Sequence, residues 1–597
     1  MEGPGRAEFG TGEPGDAWRV RLREPAEIRQ ACATSGVTDV VGWIDAQARL
    51  GRWGVLLLAY EAAPAFDPAL VVGSPGDGPV PLAWAAAYEP RAASTFLDDT
   101  AHRDQGVLTE VVSWRPEVDQ ARFACDIARI LGHIAAGDTY QVNYTFPLRA
   151  KFPHDPWRWF RARAREARVP FPACIDTGAA VVMSLSPELF IERRGDQVRA
   201  RPMKGTSRRG RWLDEDHRLS QALVDSEKAR AENVMIVDLL RNDIGRVAMI
   251  GSVRVSELCA LERYPTVWQL TSRIDATLRP ATTLCDVLRA VFPCGSVTGA
   301  PKVRTMEIIA ALESFPRGLY TGAVCLLRPG GDMMASVPIR TAILDRATGI
   351  ATFNVGAGIT ADSTASDEWA ECLAKARVAR PAAVPDDASL FETMRLEAGV
   401  LVRRDAHIAR LQASAALFGW PIDERRLSAA LDRLCAHHRT ATWRARLVLD
   451  RDGHVRTEAK PLVRDSRHWR VGLADAPVDT RSPLLFNKTT CRVVYERARA
   501  AVPGADDVLL WNARGELTES CVANIVVALD GRRVTPPVAC GLLPGVFRAQ
   551  LLTEGQVEEG VVRVEDLGRA TGVWLVNSLR EWIDVELIGR AASPGRR

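Results

Sequence analysis

The stretch ARVARPAAVPDDASLFETMR, beginning at Ala376, constrains the fold more than any other feature of this chain. Its prolines and aspartates close a charged helical pattern and precede a fresh apolar one, so no single core runs through it. At 597 residues the chain is also too long for one core. The sequence predicts a disordered leader over 1–17, a first part over 18–380, a linker over 381–388 and a second part over 389–597. Both parts read as α+β. In the first, strand-like runs (VLLLAY, AAVVMSLS, GAVCLL, ATFNVGAGI) alternate with helices, one of which carries Phe123, Ile127, Ile130, Leu131 and Ile134 on one face and ends at Gly137. The second opens with strands, has a helix over 406–418 with Ile408, Leu411 and Ala415 inward, and continues with strands such as CVANIVVAL and GVWLVNS.

Charge and cysteine usage exclude several functions. A formal net charge of +3 gives no footprint for nucleic acid or a membrane surface. The 12 cysteines are scattered without CxxC spacing, so neither a zinc site nor a disulfide framework is expected. The leader has acids and glycines where a signal peptide needs an apolar core, and Val55–Tyr60 is far shorter than a membrane span. The expectation is a cytoplasmic protein with reduced thiols.

In the first part, polar residues cluster at the ends of apolar runs, where strands and helices deliver side chains into clefts. The segments are GDTYQVNYT (137–145), SLSPELF (184–190), PMKGTSRRG (202–210), ENVMIVDLLRNDIGR (232–246), FPCGSVTGAPKVRTMEII (292–309), IRTAI (339–343) and NVGAGITADSTASDEWAECLAKA (354–376). In this order they resemble the chorismate-utilising enzymes, which include anthranilate, aminodeoxychorismate, isochorismate and salicylate synthases. The resemblance covers roughly Trp53 to Lys375 and implies an anthranilate synthase component I-like fold. It implies Mg²⁺ on Glu232 and Glu371 with Glu368 and Lys375 close by, a set suited to a hard cation that keeps waters. Tyr320, Arg340 and the backbone of Gly356 to Gly358 would grip the enolpyruvyl carboxylate, with Thr298 and Gln141 as further substrate contacts.

Lys204 decides the branch within that family. Anthranilate synthases resemble PIAGT where this chain has PMKGT. A lysine there can attack ring C2, expel the C4 hydroxyl and open C4 to ammonia. Glu188 would protonate the departing hydroxyl and Arg241 would orient its surroundings. Isochorismate and salicylate synthases carry a water-activating lysine where this chain has Gln141, which argues against attack by water. Gln269 stands where relatives often carry histidine and cannot move a proton. No glutaminase motif is present in the sequence, so the resemblance implies a separate glutamine amidotransferase subunit as the source of ammonia.

The second part reads LFETMRLEAG, DAHIARLQASAALFGW (405–420), LLFNKTTCRVVYERAR (484–499), DDVLLWNARGELTESCVANIVV (506–527), TPPVACGLLPGVFR (535–548) and VWLVNSLRE (573–581). This order resembles the class IV pyridoxal-phosphate enzymes: branched-chain and D-amino-acid aminotransferases and aminodeoxychorismate lyases. The resemblance implies fold type IV and pyridoxal 5'-phosphate, with Lys488 as the Schiff-base lysine and Glu519 opposite the pyridine nitrogen. Arg410, the backbone NH groups of Gly545 and Val546, and Ser578 would take the phosphate, while Leu542 packs on the ring. Asn487 replaces the histidine common before that lysine, which should change the hydrogen bonding around it. Relatives of this part are often dimers, which makes a homodimer through it an expectation.

Read together, the parts predict conversion of chorismate and ammonia to 4-aminobenzoate and pyruvate, for folate or an aromatic secondary metabolite. Two alternatives stand beside it. One is an anthranilate or aminodeoxyisochorismate synthase fused to an amino-acid transaminase. The other is a synthase carrying a decayed scaffold domain.

Overall fold

In the strand Trp53–Leu58, Val55 and Leu57 pack into one apolar core while Leu56 and Leu58 pack into another, because successive side chains leave opposite faces of a strand. That two-sided burial sets the layering of the first part. The computed structural model describes residues 4–10, 18–76, 78–94, 112–380, 384–385, 387–463 and 467–589. By packing, the chain divides into one unit of Met1–Arg208 with Ser220–Ala382 and another of Arg209–Leu219 with Ala383–Arg597.

The first unit contains two 10-stranded sheets whose neighbouring strands all pair antiparallel. One has Gln141–Lys151, Ile350–Ile359, Thr341–Asp345 and Ala180–Ser186 at its centre. The other runs from Met203–Arg208 through Val267–Thr277, Gln197–Arg201 and Leu189–Arg194 towards Trp53–Leu58. Their inner faces share a core that includes Phe9, Trp18, Leu57, Trp84, Ile175 and Leu326. Helices cover both outer faces: Val37–Arg49, Glu227–Gly245 and Leu284–Val291 on one, and Gln120–Ala135, Pro156–Ala167 and Lys302–Leu312 on the other. The order is helix, sheet, sheet, helix. Full burial of each large apolar side chain contributes roughly 1.5–3 kcal/mol, which such layering multiplies many times over.

The predicted helix appears as Gln120–Ala135 with Phe123, Ile127 and Ile130 buried, capped at its start by Asp119 accepting from the Arg122 amide. The leader expectation needs correction. Ala7–Phe9 is a buried strand that pairs with Val20–Leu22 and Phe171–Asp176, and buried Glu8 meets Arg6, Arg21 and Arg161. Two apolar residues flanking a paired carboxylate suffice to dock this short run; residues 1–3 and 11–17 lie outside the described residues. Of the expected linker, 381–383 and 386 also lie outside them.

The second unit has a four-stranded antiparallel sheet, ordered Val400–Leu401, Leu390–Glu397, Thr442–Leu449 and Val455–Pro461, with helices Arg404–Phe418 and Glu424–His437 against it. Leu411 and Ala415 are buried in that core, as the periodicity predicts, with Ile408 at its edge. A second, mixed sheet has eight strands, and an extra pairing of Leu517–Ser520 with Asn524–Leu529 closes six of them into a ring. The segment Arg209–Leu219 belongs to this unit, which the single predicted boundary missed. Trp212 stacks on Phe486 with centroids 5.0 Å apart, and the Arg211 guanidinium lies 4.9 Å from both ring centres.

Candidate active sites

The strand Met203–Arg208 carries Lys204 into a cavity of about 300 Å³ in the first unit. Glu188 comes from the corner between Ala180–Ser186 and Leu189–Arg194, and Arg340 sits at a left-handed backbone position, φ 53°, before Thr341–Asp345. Glu232 projects from the helix Glu227–Gly245. Glu368, Glu371 and Lys375 project from the helix Ala365–Lys375, where spacings of three and four place them on one face. Tyr320, Gly356 and Gly358 complete this wall.

Electrostatics split these groups into complementary protonation states. Burial pushes Glu188 up to about 7, against a 2.6 Å hydrogen bond donated by Ser296 and the nearby Lys204 and Arg340 cations. Burial pulls Lys204 below its usual range, and Lys375 adds to this, while Glu232, Glu188 and Glu371 oppose it. A carboxyl that keeps its proton to higher pH than usual thus shares a cavity with an amine that gives its proton up more readily than usual. Gln269 uses its whole amide on the lysine strand: its oxygen accepts from Thr206 at 2.9 Å and its nitrogen donates to the Gly205 carbonyl at 3.0 Å. That leaves it to hold the strand and not to move protons.

Gln141 is fully buried, and neither amide atom has a protein partner. A β-carbon at Gly358 would lie 3.0 Å from both Gln141 Nε2 and Lys204 Nζ, so glycine is what lets the amide and the amine share this corner. Thr298 is buried beside the cavity wall with its hydroxyl 3.2 Å from the Cys294 and Gly295 carbonyls, which makes it a brace for the turn. Arg241 departs from the expectation. It is half exposed, pairs with Asp238 at 2.8 Å and does not line the cavity, because Ile236, Val237, Leu240 and Ile244 take the inward face of its helix. Arg241→Ala should leave the steady-state activity of this cavity within about twofold of wild type.

The carboxylates offer a two-point cation site. Glu232 and Glu371 line one cavity, and burial raises Glu232, so it gains from a cation. Glu371 is held by Lys375 at 2.7 Å, and Glu368 is tied to the Ser363 hydroxyl at 2.7 Å. Among the described residues no three His, Cys, Asp or Glu side chains converge as a cage. A metal here would therefore need ligands from water or substrate.

The second unit holds a cavity of about 440 Å³, lined by Lys488, Glu519, Arg410, Gly545, Val546 and Ser578 among others. Burial draws Lys488 down to about 8, helped by the Arg410 and Arg492 cations and opposed by Glu392 and Glu519. Burial pushes Glu519 up to about 7, although Tyr495 donates to it at 2.9 Å and the Leu543 amide at 3.2 Å. This carboxyl can exchange a proton near neutral pH. Gly545 caps the helix Val546–Thr553, and a β-carbon there would lie 1.9 Å from Asn524 Oδ1. Gly545→Ala should weaken ligand binding in this cavity about tenfold in fluorescence titrations, because the new methyl would displace the Asn524 side chain, whose amide donates to the Leu543 carbonyl at 2.9 Å.

One detail differs from expectation. Leu542 is fully buried and off the cavity wall, while its neighbour Leu543 lines it. Asn487 spends its amide hydrogens on the Arg211 and Pro483 carbonyls, both at 2.9 Å, and so pins the turn that carries Lys488. Sequence reasoning also missed His407 and Glu392, which are buried behind Arg410. The signal was present, since His407 and Arg410 stand three apart on one helix.

Comparison with known proteins follows the same division. Residues 45–381, more than half the chain, match the family model for chorismate binding enzyme. The chain belongs to that family. Residues 389–588 of this chorismate binding enzyme match the model for amino-transferase class IV, which implies pyridoxal phosphate. Aminodeoxychorismate synthase component 1 of Klebsiella aerogenes is 41% identical over 294 residues, 49% of this chain and 62% of that protein. Anthranilate synthase component 1 of Aquifex aeolicus is 39% identical over 266 residues, 44% of this chain and 53% of that protein. The chain thus spans less than two thirds of these curated relatives. The crystal structure of anthranilate synthase component I from Streptococcus pneumoniae TIGR4 superposes with a TM-score of 0.54 at 23% identity, covering 62% of this chain and 92% of that one, and shares the fold. No helix among the described residues is long and apolar enough to cross a membrane.

Proposed function

We propose that this enzyme makes 4-aminobenzoate in two steps, amination of chorismate at ring C4 and then elimination of pyruvate. The observation that carries the reading is the pairing of Lys204 with Glu188 inside one cavity, amine pulled down and carboxyl pushed up. The Lys204 amine bonds to C2, the ring double bonds shift, and the C4–oxygen bond breaks as Glu188 delivers its proton to the leaving hydroxyl, which departs as water. Ammonia then bonds to C4, and the lysine leaves C2. Arg340 and Tyr320 hold the enolpyruvyl carboxylate, while Glu232 and Glu371 would hold Mg²⁺, a cation that would offset the charge of the ring carboxylate. Gln141 offers an amide and no amine beside Lys204, so water is not activated there. The ammonia comes from a separate glutamine amidotransferase, consistent with relatives named as component 1.

Pyridoxal phosphate, when bound in the second unit, supplies an electron sink for breaking bonds at the substrate's aminated carbon. Arg410, Ser578 and the Gly545 turn, which line the cavity, would hold its phosphate, and Glu519 would hold its ring nitrogen. Lys488 then removes the proton from ring C4, after which pyruvate leaves and the ring becomes aromatic. Arg444, Arg446, Arg492, Arg499 and Arg580 also line this cavity. That surplus of cations suits a substrate with two carboxylates better than a neutral amino acid, which favours the lyase over a transaminase.

The test is product analysis with chorismate, ammonia and Mg²⁺, with and without pyridoxal phosphate. 4-Aminobenzoate and pyruvate in equal amounts are expected. An ortho-aminated product would sink the first step, and amino transfer to 2-oxoglutarate would sink the second. Glutamine-dependent turnover by the chain alone would remove the partner.

A further inference from the structure

Behind the phosphate cup, two buried side chains that the reaction above does not use, Glu392 and His407, form a line with Ser578. His407 Nδ1 lies 2.7 Å from Glu392 Oε2, and His407 Nε2 lies 2.7 Å from Ser578 Oγ. Glu392 also takes both Nε and a terminal nitrogen of Arg410, at 2.9 and 2.6 Å. The remaining Arg410 nitrogen reaches the Pro544 carbonyl at 3.1 Å. Glu392 and His407 are each 1% exposed, whereas Ser578, Arg410 and the His407 edge border the cavity.

The charges fix the hydrogens. Burial alone would raise Glu392, but the Arg410 ion pair and the bonds from His407 and Arg410 outweigh it and hold the carboxyl at about 2. An ionised carboxylate only accepts, so Nδ1 carries a hydrogen. Burial lowers His407, and the Arg410 and Lys488 cations lower it further, while Glu392 opposes them; these are the charged groups that act on the ring. A neutral ring has no second hydrogen, so Nε2 accepts the Ser578 O–H. In that state the hydroxyl proton points away from the cavity, and the Arg410 charge is already matched by Glu392. The cup is then poorly equipped for a dianion.

One proton reverses both defects. With His407 protonated, Nε2–H donates to Ser578 Oγ, the Ser578 O–H turns towards the cavity, and the cup gains a positive charge. We propose that His407 takes up a proton from solvent as the cofactor's phosphate binds, and that the Glu392–His407–Ser578 line turns this uptake into a hydrogen bond to the phosphate. The inference rests on the pyridoxal phosphate reading of this unit and makes His407 a positioning residue.

The sign of the pH effect follows. Ligand binding raises the His407 pKa above its ligand-free value, so the added affinity is complete below the free pKa and is lost as pH rises through the bound one. The test uses the full chain stripped of cofactor and the probe 4′-deoxypyridoxine 5′-phosphate, which lacks the aldehyde and cannot react with Lys488. Calorimetry between about pH 7 and 8.5, where free phosphate is mostly dianionic, in buffers of different ionisation enthalpy, reads the protons taken up. The wild type should take up about one proton more than His407→Gln, and the variant should bind about tenfold more weakly near pH 7 with a flatter pH dependence. If that variant does not fold, nitrogen-15 histidine NMR of the wild type gives the same answer: one imidazole must pass from singly to doubly protonated on binding. Equal uptake in both proteins, or an imidazole that stays neutral, overturns the proposal and leaves the cofactor reading intact. Failure of the probe and of pyridoxal phosphate to bind at all overturns both.

Discussion

Lys204→Ala is expected to lose about 10³-fold or more of C4 amination, with no comparable loss in chorismate binding. The expectation comes from position and protonation together. Lys204 lines the first cavity, its strand is held by Gln269 and by Asn233 donating to the Lys204 carbonyl at 3.2 Å, and its amine is the one that lies with Gln141 against Gly358. Of the two other lysines on the cavity wall, Lys375 is committed to Glu371 at 2.7 Å and the Gly356 carbonyl at 2.9 Å, and Lys228 is not among the main charges acting on Lys204. Alanine therefore removes the nucleophile without a substitute. Ammonia-dependent assays with liquid chromatography of the aminated products check this, and a variant that keeps full para-amination would refute the covalent route. The pH profile offers a second check. Glu188 must hold its proton, so kcat should fall as pH rises through about 7, while Lys204 must lose one, so kcat should also fall towards acid. Glu188→Gln should abolish the alkaline limb along with most of the rate.

Much of this fold is legible in the sequence because burial writes itself as periodicity. Phe123, Ile127 and Ile130 recur at helical spacing, and the unbroken apolar run at 55–58 marks a strand buried on both faces, so those elements appear where predicted. The site residues are legible for another reason. Lys204, Glu188, Lys488 and Glu519 sit in short polar runs between apolar ones, and strand ends deliver such runs into clefts. What escapes is whatever depends on distant partners. Ala7–Phe9 is a strand only because two other strands flank it, and Arg211 and Trp212 join the second unit through Phe486 and Asn487, which no local period announces. Arg241 is a different failure. The motif drew attention to it, but the helical phase of Val237, Leu240 and Ile244 already turned it outward.

Lys488→Ala should abolish pyruvate release, by about 10³-fold or more, while leaving the amination step intact. The two consequences separate because each lysine lies in its own unit and its own cavity. Lys488 is drawn down to about 8 by burial and by Arg410 and Arg492, so a sizeable fraction of the amine is neutral under ordinary assay conditions. On the proposed reaction that fraction attaches the cofactor and takes the ring proton, and among the described residues no other lysine lines the cavity to replace it. Arginines crowd the same space, yet a guanidinium stays protonated and cannot act as a base. A lactate dehydrogenase-coupled assay reads pyruvate, and chromatography reads the aminated intermediate. The variant should accumulate that intermediate at the wild-type rate of amination and lose the visible absorbance of lysine-bound cofactor. Undiminished pyruvate release would show that elimination does not use Lys488. Loss of both steps would mean instead that the second unit supports the first, and the independence assumed here would fall.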